Sequence, residues 1–476
     1  MFEKIQRLIK AVFNQEYAKA SIYYVIANII GQGIVLLSSA IFTRMMSKVD
    51  YGLVSTYSTW VLVLNTFICL NLFITVRTAY IDFEDDYDNY NSSVMMLCIL
   101  SGTVVSIIIT AGVIILGVDF SVEEVLLACI QSVGLNMVNY MLAIQSMKIE
   151  YKQRAFMMVT SNWTHVILSI ILMLIFTQNL YMAKIAGNAF GVMAFGIACV
   201  IMLCRKARPR FIPKYWKYAI KISLPSIFNT LSDLILIQCD RLMLTSMVGP
   251  EETAEYSVIY NVSSIIVAIY QAINGAWLPW FYKKVANGEK NDIRRYQGYY
   301  MLAFSVFTCG MMTISPELIK IISPSNYWHG ISYVGSIVVA SYLIFLYAFF
   351  SAYLLYKKRT VTIAINTVIA AALNLALNYM LISKYKSAGA VIATVVSYIV
   401  LFFLHFFSIW KSGRQYFAVA KMLMNIVGVT IYGIAFYFVK DFWFIRYLIF
   451  IAIVVVLYVF KGRTIIKEFV KEKNAG

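Results

Sequence analysis

The chain has 476 residues, of which 61% are hydrophobic and 13% charged, and its mean hydropathy is +0.75. A soluble domain carries roughly 45–50% apolar and about 25% charged residues, so a soluble enzyme, a disordered chain, a coiled coil and a repeat solenoid are all excluded. The formal net charge of +17 would suggest nucleic acid in a soluble protein; in a chain this apolar it points to the positive-inside rule, and no nucleic-acid partner is expected.

Residues 1–19 show no small-residue cleavage site after a short apolar stretch, so no cleavable signal is expected. Ile5, Leu8, Ile9, Val12 and Phe13 recur at helical spacing beside Lys4, Arg7 and Lys10. That is the pattern of a cytoplasmic amphipathic helix lying on an anionic leaflet. A bilayer core takes roughly 20 apolar residues per helix. Charge-poor runs of that kind follow at 20–43, 51–76, 92–117, 125–147, 156–177 and 183–204. They resume at 218–247, 255–281, 298–321, 331–356, 360–383 and 388–410, and end with 421–439 and 442–460. The runs are continuous rather than alternating, which predicts an all-α polytopic membrane protein of about fourteen helices and not a barrel. Seven cysteines (69, 98, 129, 199, 204, 239 and 309) fall in apolar runs without a CxxC pair, so buried free thiols are expected rather than disulfides or zinc ligands.

Alternating the loops from an inside N-terminus puts 31 of the 40 basic residues on one side. Eight fall on the other: Arg44, Lys48, Lys184, Lys320, Lys384, Lys386, Lys440 and Arg446. This asymmetry predicts that both termini are cytoplasmic. The inside 77–91 loop is acidic (Asp82, Glu84, Asp85, Asp86, Asp88), but acidic residues contribute little to orientation. It reads as a solvated loop, with contact to a basic partner as the alternative.

The sequence also repeats itself. "SAIFTRMMSKVDYGLVSTYSTW" closes span 1 and opens span 2, and "ILIQCDRLMLTSMVGPEETAEYSVIY" does the same for spans 7 and 8. Thr43-Arg44 aligns with Asp240-Arg241. Copies six spans apart share one orientation, the parallel-repeat arrangement. The expected organisation is therefore an N-lobe at 20–204, a basic linker at 205–217 with Pro209 and Pro213, a C-lobe at 218–410, and two further spans with a basic tail at 411–476.

A charge inside hydrocarbon costs about 2.5–3.5 kcal/mol on insertion scales, so an intramembrane charge suggests function. Asp233 lies near the middle of span 7, Asp240 and Arg241 lie in its outer third, and Arg44 ends span 1. Ser226, Asn229, Asp233 and Asp240 form one polar stripe on span 7, and Asn28, Gln32, Ser39 and Thr43 another on span 1. Tyr260, Ser264, Gln271 and Asn274 make a third on span 8, and Asn374 and Asn378 lie one turn apart on span 11. Such groups either bond helices together or line a water-filled cavity between the lobes. Asp233 is a candidate for ion coupling, as is His165 in span 5, which otherwise reads as a hydrogen-bonded packing residue. For Arg44, Asp240 and Arg241 a structural salt link near the outer interface competes with substrate contact.

No GxxxxGK[ST], HExxH or GxSxG occurs, and the longest loops run to about 15 residues. Without a nucleotide loop, a metal motif or room for a catalytic domain, neither an enzyme nor a cofactor is expected.

Residues 223–284 resemble the second-lobe signature of the polysaccharide transporter family, through Pro225, Asp240-Arg241, Gly249, Tyr256-Ser257, Tyr260, Ala276-Trp277 and Pro279. Residues 373–398 are similar to that family's Asn-rich helix and Gly-Ala-Thr turn, through Asn374, Asn378, Gly389, Ala390 and Thr394. The family belongs to the multidrug/oligosaccharidyl-lipid/polysaccharide exporter superfamily. The resemblance implies a Wzx-type flippase of the bacterial cytoplasmic membrane that carries undecaprenyl-diphosphate-linked oligosaccharide between leaflets by alternating access. Polysaccharide polymerase and glycosyltransferases are the implied partners, besides membrane lipids; a gradient-driven drug or metabolite antiporter is the alternative. Relatives that flip the peptidoglycan precursor carry arginines deep in the cavity. Spans 2–6 here are expected to hold no Lys or Arg well inside the membrane, which leaves the partner of the diphosphate unassigned.

Overall fold

A computed structural model describes residues 16–117 and 121–459. The N-terminal amphipathic segment falls almost wholly outside these residues, as does the basic tail from 461. The helices run α1 (Glu16–Met45), α2 (Lys48–Ile68), α3 (Tyr87–Leu116), α4 (Val122–Met147), α5 (Tyr151–Ile175) and α6 (Leu180–Lys206). They continue with α7 (Pro213–Met247), α8 (Pro250–Ala286), α9 (Lys290–Ile322) and α10 (Val334–Tyr356).

The next segment, Thr360–Ile409, is fifty residues long. As one rod it would reach about 75 Å, far beyond a bilayer. It is a hairpin instead. Lys386 breaks the helix with φ 50° and ψ −130°. A Cβ on Gly389 would stand 2.4 Å from the Leu381 carbonyl oxygen, so the chain returns directly on itself. Asn366 donates to Ser408 Oγ at 3.0 Å near the far ends of the two arms. We number the arms α11 (360–385) and α12 (387–409), followed by α13 (Val419–Val439) and α14 (Trp443–Leu457).

Among the described residues, eleven helices are long and apolar enough to span a bilayer. A twelfth span is the bent unit of α2 and its continuation to Asp82. The hairpin supplies a thirteenth, and the short apolar α14 a fourteenth. The expected runs therefore match the helices in order, while the ends shift. α7 begins at Pro213, so the connection from α6 shrinks to 207–212.

We refer to α1–α6 and α7–α12 as the N- and C-lobes, following the repeat. They meet through α1 and α2 on one side and α7 and α8 on the other. At the end opposite the basic loops the contact is tight. A Cβ on Gly52 would lie 1.8 Å from the Pro250 carbonyl oxygen, so only glycine allows α2 and α8 to start this close together. Around it, Ser55 bonds Ser257 and Thr56 bonds Thr245, each at 2.5 Å. Lys48 pairs with Glu255, and the Tyr51 and Tyr327 rings meet edge to face. The two repeat copies thus pack against one another, and a single apolar core runs across both lobes here.

Toward the basic end α1 and α8 part. Ser264 still donates to Gln32 Oε1 at 3.4 Å. Gln271, two turns further on the same face of α8, is exposed. The cleft between the lobes therefore opens toward the basic end and is shut at the other.

The acidic 77–91 segment is helical rather than an open loop, with Asp82, Glu84 and Asp85 still exposed to solvent. Helix Thr75–Asp82 and a 3₁₀ turn at Glu84–Asp86 fold it against the start of α7. Tyr218 donates to Asp82 at 2.5 Å, Tyr215 donates to Asp86, and Lys148 pairs with Asp88. Phe83 and Tyr90 pack on the Tyr215 and Tyr218 rings. The phenols of α7 satisfy carboxylates more than 120 residues earlier, a pairing that no local pattern signals.

Candidate functional site

Just beneath the closed end lies a cavity of about 190 Å3. Six helices build it, three of them being α1 (Val35, Ser38, Ser39, Phe42), α2 (Tyr51, Val54, Ser55, Ser58) and α5 (His165, Val166). The others are α6 (Lys184, Asn188), α7 (Arg241) and α8 (Ser257, Asn261). Both lobes contribute, and the lining holds an ammonium, a guanidinium and an imidazole but no carboxylate.

Lys184 is the residue that sequence reasoning misplaced. Counted with the outer side at the start of span 6, it is instead buried inside the bundle in the first turns of α6. Its ammonium donates to Asn188 Oδ1 at 3.0 Å and to Ser169 Oγ at 3.4 Å. His165 Nδ1 lies 3.3 Å from the same Asn188 oxygen, and Ser169 donates to it at 3.1 Å. This cluster depends on how closely α5 and α6 approach. A Cβ on Gly187 would lie 2.3 Å from Ser169 Cα, and one on Gly191 2.6 Å from His165 Cα. Gly187-Asn188-Ala189-Phe190-Gly191 is a small-xxx-small pair that brings two helix backbones together. With Lys184 three residues before it, that motif was the available signal. A buried cation that bonds only neutral oxygens retains much of its desolvation penalty, which an incoming anion would relieve.

Arg241 is the cation of the C-lobe. It donates to Gln238 Oε1 and its guanidinium stacks 4.9 Å from the Tyr260 ring centroid, and its Nε is buried without a partner. The neighbouring Asp240 is turned away from the cavity. Its carboxylate accepts from Tyr256 at 2.6 Å, Asn378 at 2.6 Å and Thr394 at 2.7 Å. Asn378 also donates to Asn374 Oδ1 at 3.0 Å. Asp240, Asn374 and Asn378 are therefore brought together inside the C-lobe, where they join α7, α8, α11 and α12, and none of them lines the cavity. Asp240 and Arg241 make no ion pair with each other; the three donors, not the arginine, satisfy the carboxylate.

The remaining candidates lie elsewhere. Arg44 caps α9, donating to the Ile321 carbonyl at 2.8 Å while Thr43 donates to that of Ile322 at 2.7 Å. A cation at a helix C-terminus complements the macrodipole, so this is a hydrogen-bonded cap where a salt link had been one of the expectations. Gln32 accepts from Ser264 at 3.4 Å and is not part of the cavity lining. Asn28 is half-buried one turn nearer the basic end, and Asn274 donates to the Tyr270 hydroxyl at 3.4 Å. Asn229, Asp233 and Gln271 are exposed. Asn71, which the sequence did not single out, sits at the 65° bend of α2 with φ 53° and donates to Ser226 at 3.1 Å and Thr230 at 2.9 Å. The bend is thereby pinned to α7. Among the described residues no cluster of three or more His, Cys, Asp or Glu could hold a metal ion, and the seven cysteines are free thiols.

Residues 17–284 match the polysaccharide biosynthesis protein family. The chain belongs to that family. No curated protein matches its sequence. Its fold is similar to that of the lipid II flippase MurJ in an inward closed conformation, with a TM-score of 0.69 and 17% identity, over 93% of this chain and 100% of that one. It is also similar to an inward-facing multidrug resistance MATE family transporter of the MOP superfamily, with a TM-score of 0.61 and 14% identity over 81% and 98%. A MOP superfamily transporter from Pyrococcus furiosus, described as having reverse polarity in its binding pocket, matches with a TM-score of 0.52 and 15% identity over 83% and 96%. This polysaccharide biosynthesis family member is thus a multi-pass membrane protein with the fold of MOP-superfamily flippases and transporters.

Proposed function

We propose that the protein is a flippase that moves polyprenyl-diphosphate-linked oligosaccharide units across a bacterial cytoplasmic membrane, for surface polysaccharide synthesis. The observation that carries this reading is the pairing of Lys184 and Arg241 in one carboxylate-free cavity between the lobes. A sugar diphosphate cannot cross hydrocarbon unaided, because its charges and hydroxyls lose their water. Two cations held in a low-dielectric pocket offer the diphosphate charge-assisted hydrogen bonds. The five serines of the lining, Ser38, Ser39, Ser55, Ser58 and Ser257, suit sugar hydroxyls. A volume of about 190 Å3 is below the roughly 300–1,000 Å3 of drug-sized pockets. It admits the diphosphate end of a large head group, with the glycan in the open cleft and the lipid chain left in the bilayer. A gradient-driven exporter of organic cations would need a carboxylate where this cavity has Lys184.

The roles of Asn28, Gln32, Asn229, Gln271 and Asn274 in this scheme are those of polar positions on facing helix stripes, along which the head group would pass. Sugar transferases and a polymerase would act before and after the step. Deletion of the gene is expected to leave lipid-linked oligosaccharide facing the cytoplasm and to abolish the surface polymer. Unchanged surface polymer in a strain without a second flippase would refute the reading.

A further inference from the structure

At the basic end of the molecule, the N-terminal turns of α9 and the first turn of α13 lie beside each other and line an open pocket of about 530 Å3. It is lined by Asn291, Arg294, Arg295 and Tyr299 of α9 and by residues 418–421, ending at Lys421. The lining carries three cations and no carboxylate. The two acids that flank Asn291 in sequence, Glu289 and Asp292, are engaged elsewhere. Lys284 bonds Asp292 at 2.8 Å and pairs with Glu289. The Lys284 ammonium holds the Glu289 carboxyl below its usual range, so that acid is ionised and committed.

The backbone adds to the positive character. α13 starts without a side-chain cap, so the N–H groups of its first turn have no partner within the helix. Arg294 is braced by a bond from Nε to the Phe417 carbonyl at 3.4 Å. The Ala418 N–H is taken by Gln297 Oε1 at 2.9 Å. Beyond the rim, Leu423, Met424 and Val427 of α13 are exposed and apolar. Polar, cationic walls at the helix ends thus continue directly into a surface suited to hydrocarbon.

We infer that this pocket binds the phosphate head group of an anionic phospholipid from the leaflet at the basic end, with its acyl chains lying along α13. Charge complementarity selects an anion, helix N-termini receive phosphate well, and cationic pockets between membrane helices take anionic head groups. The apolar skirt selects a lipid over a free phosphate, because only the lipid covers Leu423, Met424 and Val427. The pocket shares no lining residue with the inter-lobe cavity, so it is a separate site from the transport path.

The test is native mass spectrometry of the full-length protein released from nanodiscs of phosphatidylcholine with a minor fraction of phosphatidylglycerol. Wild type is expected to retain phosphatidylglycerol, and retention should fall about fivefold for Lys421→Gln and further for Arg294→Gln/Lys421→Gln, since each surface cation is worth about 1 kcal/mol toward anionic lipid. Lys421→Arg should retain it, as should Lys411→Gln, which removes an exposed charge outside the pocket. Equal retention by wild type and the double variant, both monodisperse, would overturn the inference. So would displacement of the lipid by millimolar inorganic phosphate, which would mark a site for the free anion.

Discussion

The Lys184 ammonium lies 3.6 Å from the centroid of the Phe42 ring. A cation of α6 is thereby seated against α1, the helix that forms the facing wall of the inter-lobe cavity. Lys184→Met is expected to reduce oligosaccharide flipping by about 10–100-fold, the effect of losing one charged hydrogen bond of about 1.5–3 kcal/mol, while leaving protein abundance unchanged. Lys184→Arg should retain a large part of the activity. Surface polymer measured at matched expression decides it; wild-type output from Lys184→Met would remove this cation from the substrate path.

The fold was legible because each span is a continuous apolar run and most basic residues concentrate in alternate loops. The site was less so. Lys184 and Arg446, counted from sequence with the outer side at the ends of spans 6 and 14, are both buried within helices. Hydropathy places a lysine near a helix end in water, since such side chains ordinarily extend to the interface. It carries no information on whether a neighbouring helix closes over that end. Gly187 and Gly191 do so here, by drawing α5 against α6. Likewise the stripe on α7 runs through Asp233 and Asp240, but periodicity cannot distinguish an exposed carboxylate from one that accepts three hydrogen bonds.

That contrast sets a second prediction. Asp233 is exposed and makes no hydrogen bond, whereas Asn374 is fully buried and accepts from Asn378. Asn374→Ala is expected to lower stability by about 1–3 kcal/mol, the effect of leaving buried polar groups unpaired. Asp233→Asn should leave the melting temperature unchanged. At matched amounts of folded protein, Asp233→Asn should impair transport more, because it alone removes a titratable group. Equal transport by Asp233→Asn and wild type would exclude a coupling role for that carboxylate.

The last helix is tied to the C-lobe by an ion pair whose arginine is buried and whose glutamate is half-buried. Arg446 of α14 donates to Glu317 of α9 through both terminal nitrogens, and also to the Thr313 carbonyl. Removing one partner of a fully buried pair costs about 3–5 kcal/mol, and the loss here is smaller because the half-buried Glu317 keeps some contact with water. Arg446→Met should therefore lower thermal stability and expose the α13–α14 hairpin to limited proteolysis. Arg446→Met/Glu317→Leu should recover most of the loss. A double variant as unstable as the single one would assign the effect to the Thr313 carbonyl.

Closure at the end opposite the basic loops depends on Gly52. A Cβ there would lie 1.8 Å from the Pro250 oxygen and 2.6 Å from its carbonyl carbon. Both are backbone atoms, so no side chain can move aside. Gly52→Ala is therefore expected to separate α2 from α8, break the Ser55–Ser257 contact, and shift the lobes toward the state open at this end. In a background with the seven native cysteines replaced, Ser257→Cys should react several-fold faster with a membrane-impermeant maleimide when Gly52→Ala is present. Gly33→Ala offers a control, since a Cβ at Gly33 meets nothing within 4 Å. If Gly52→Ala labelled no faster than this control, the Gly52–Pro250 contact would not be what keeps the lobes closed on this side.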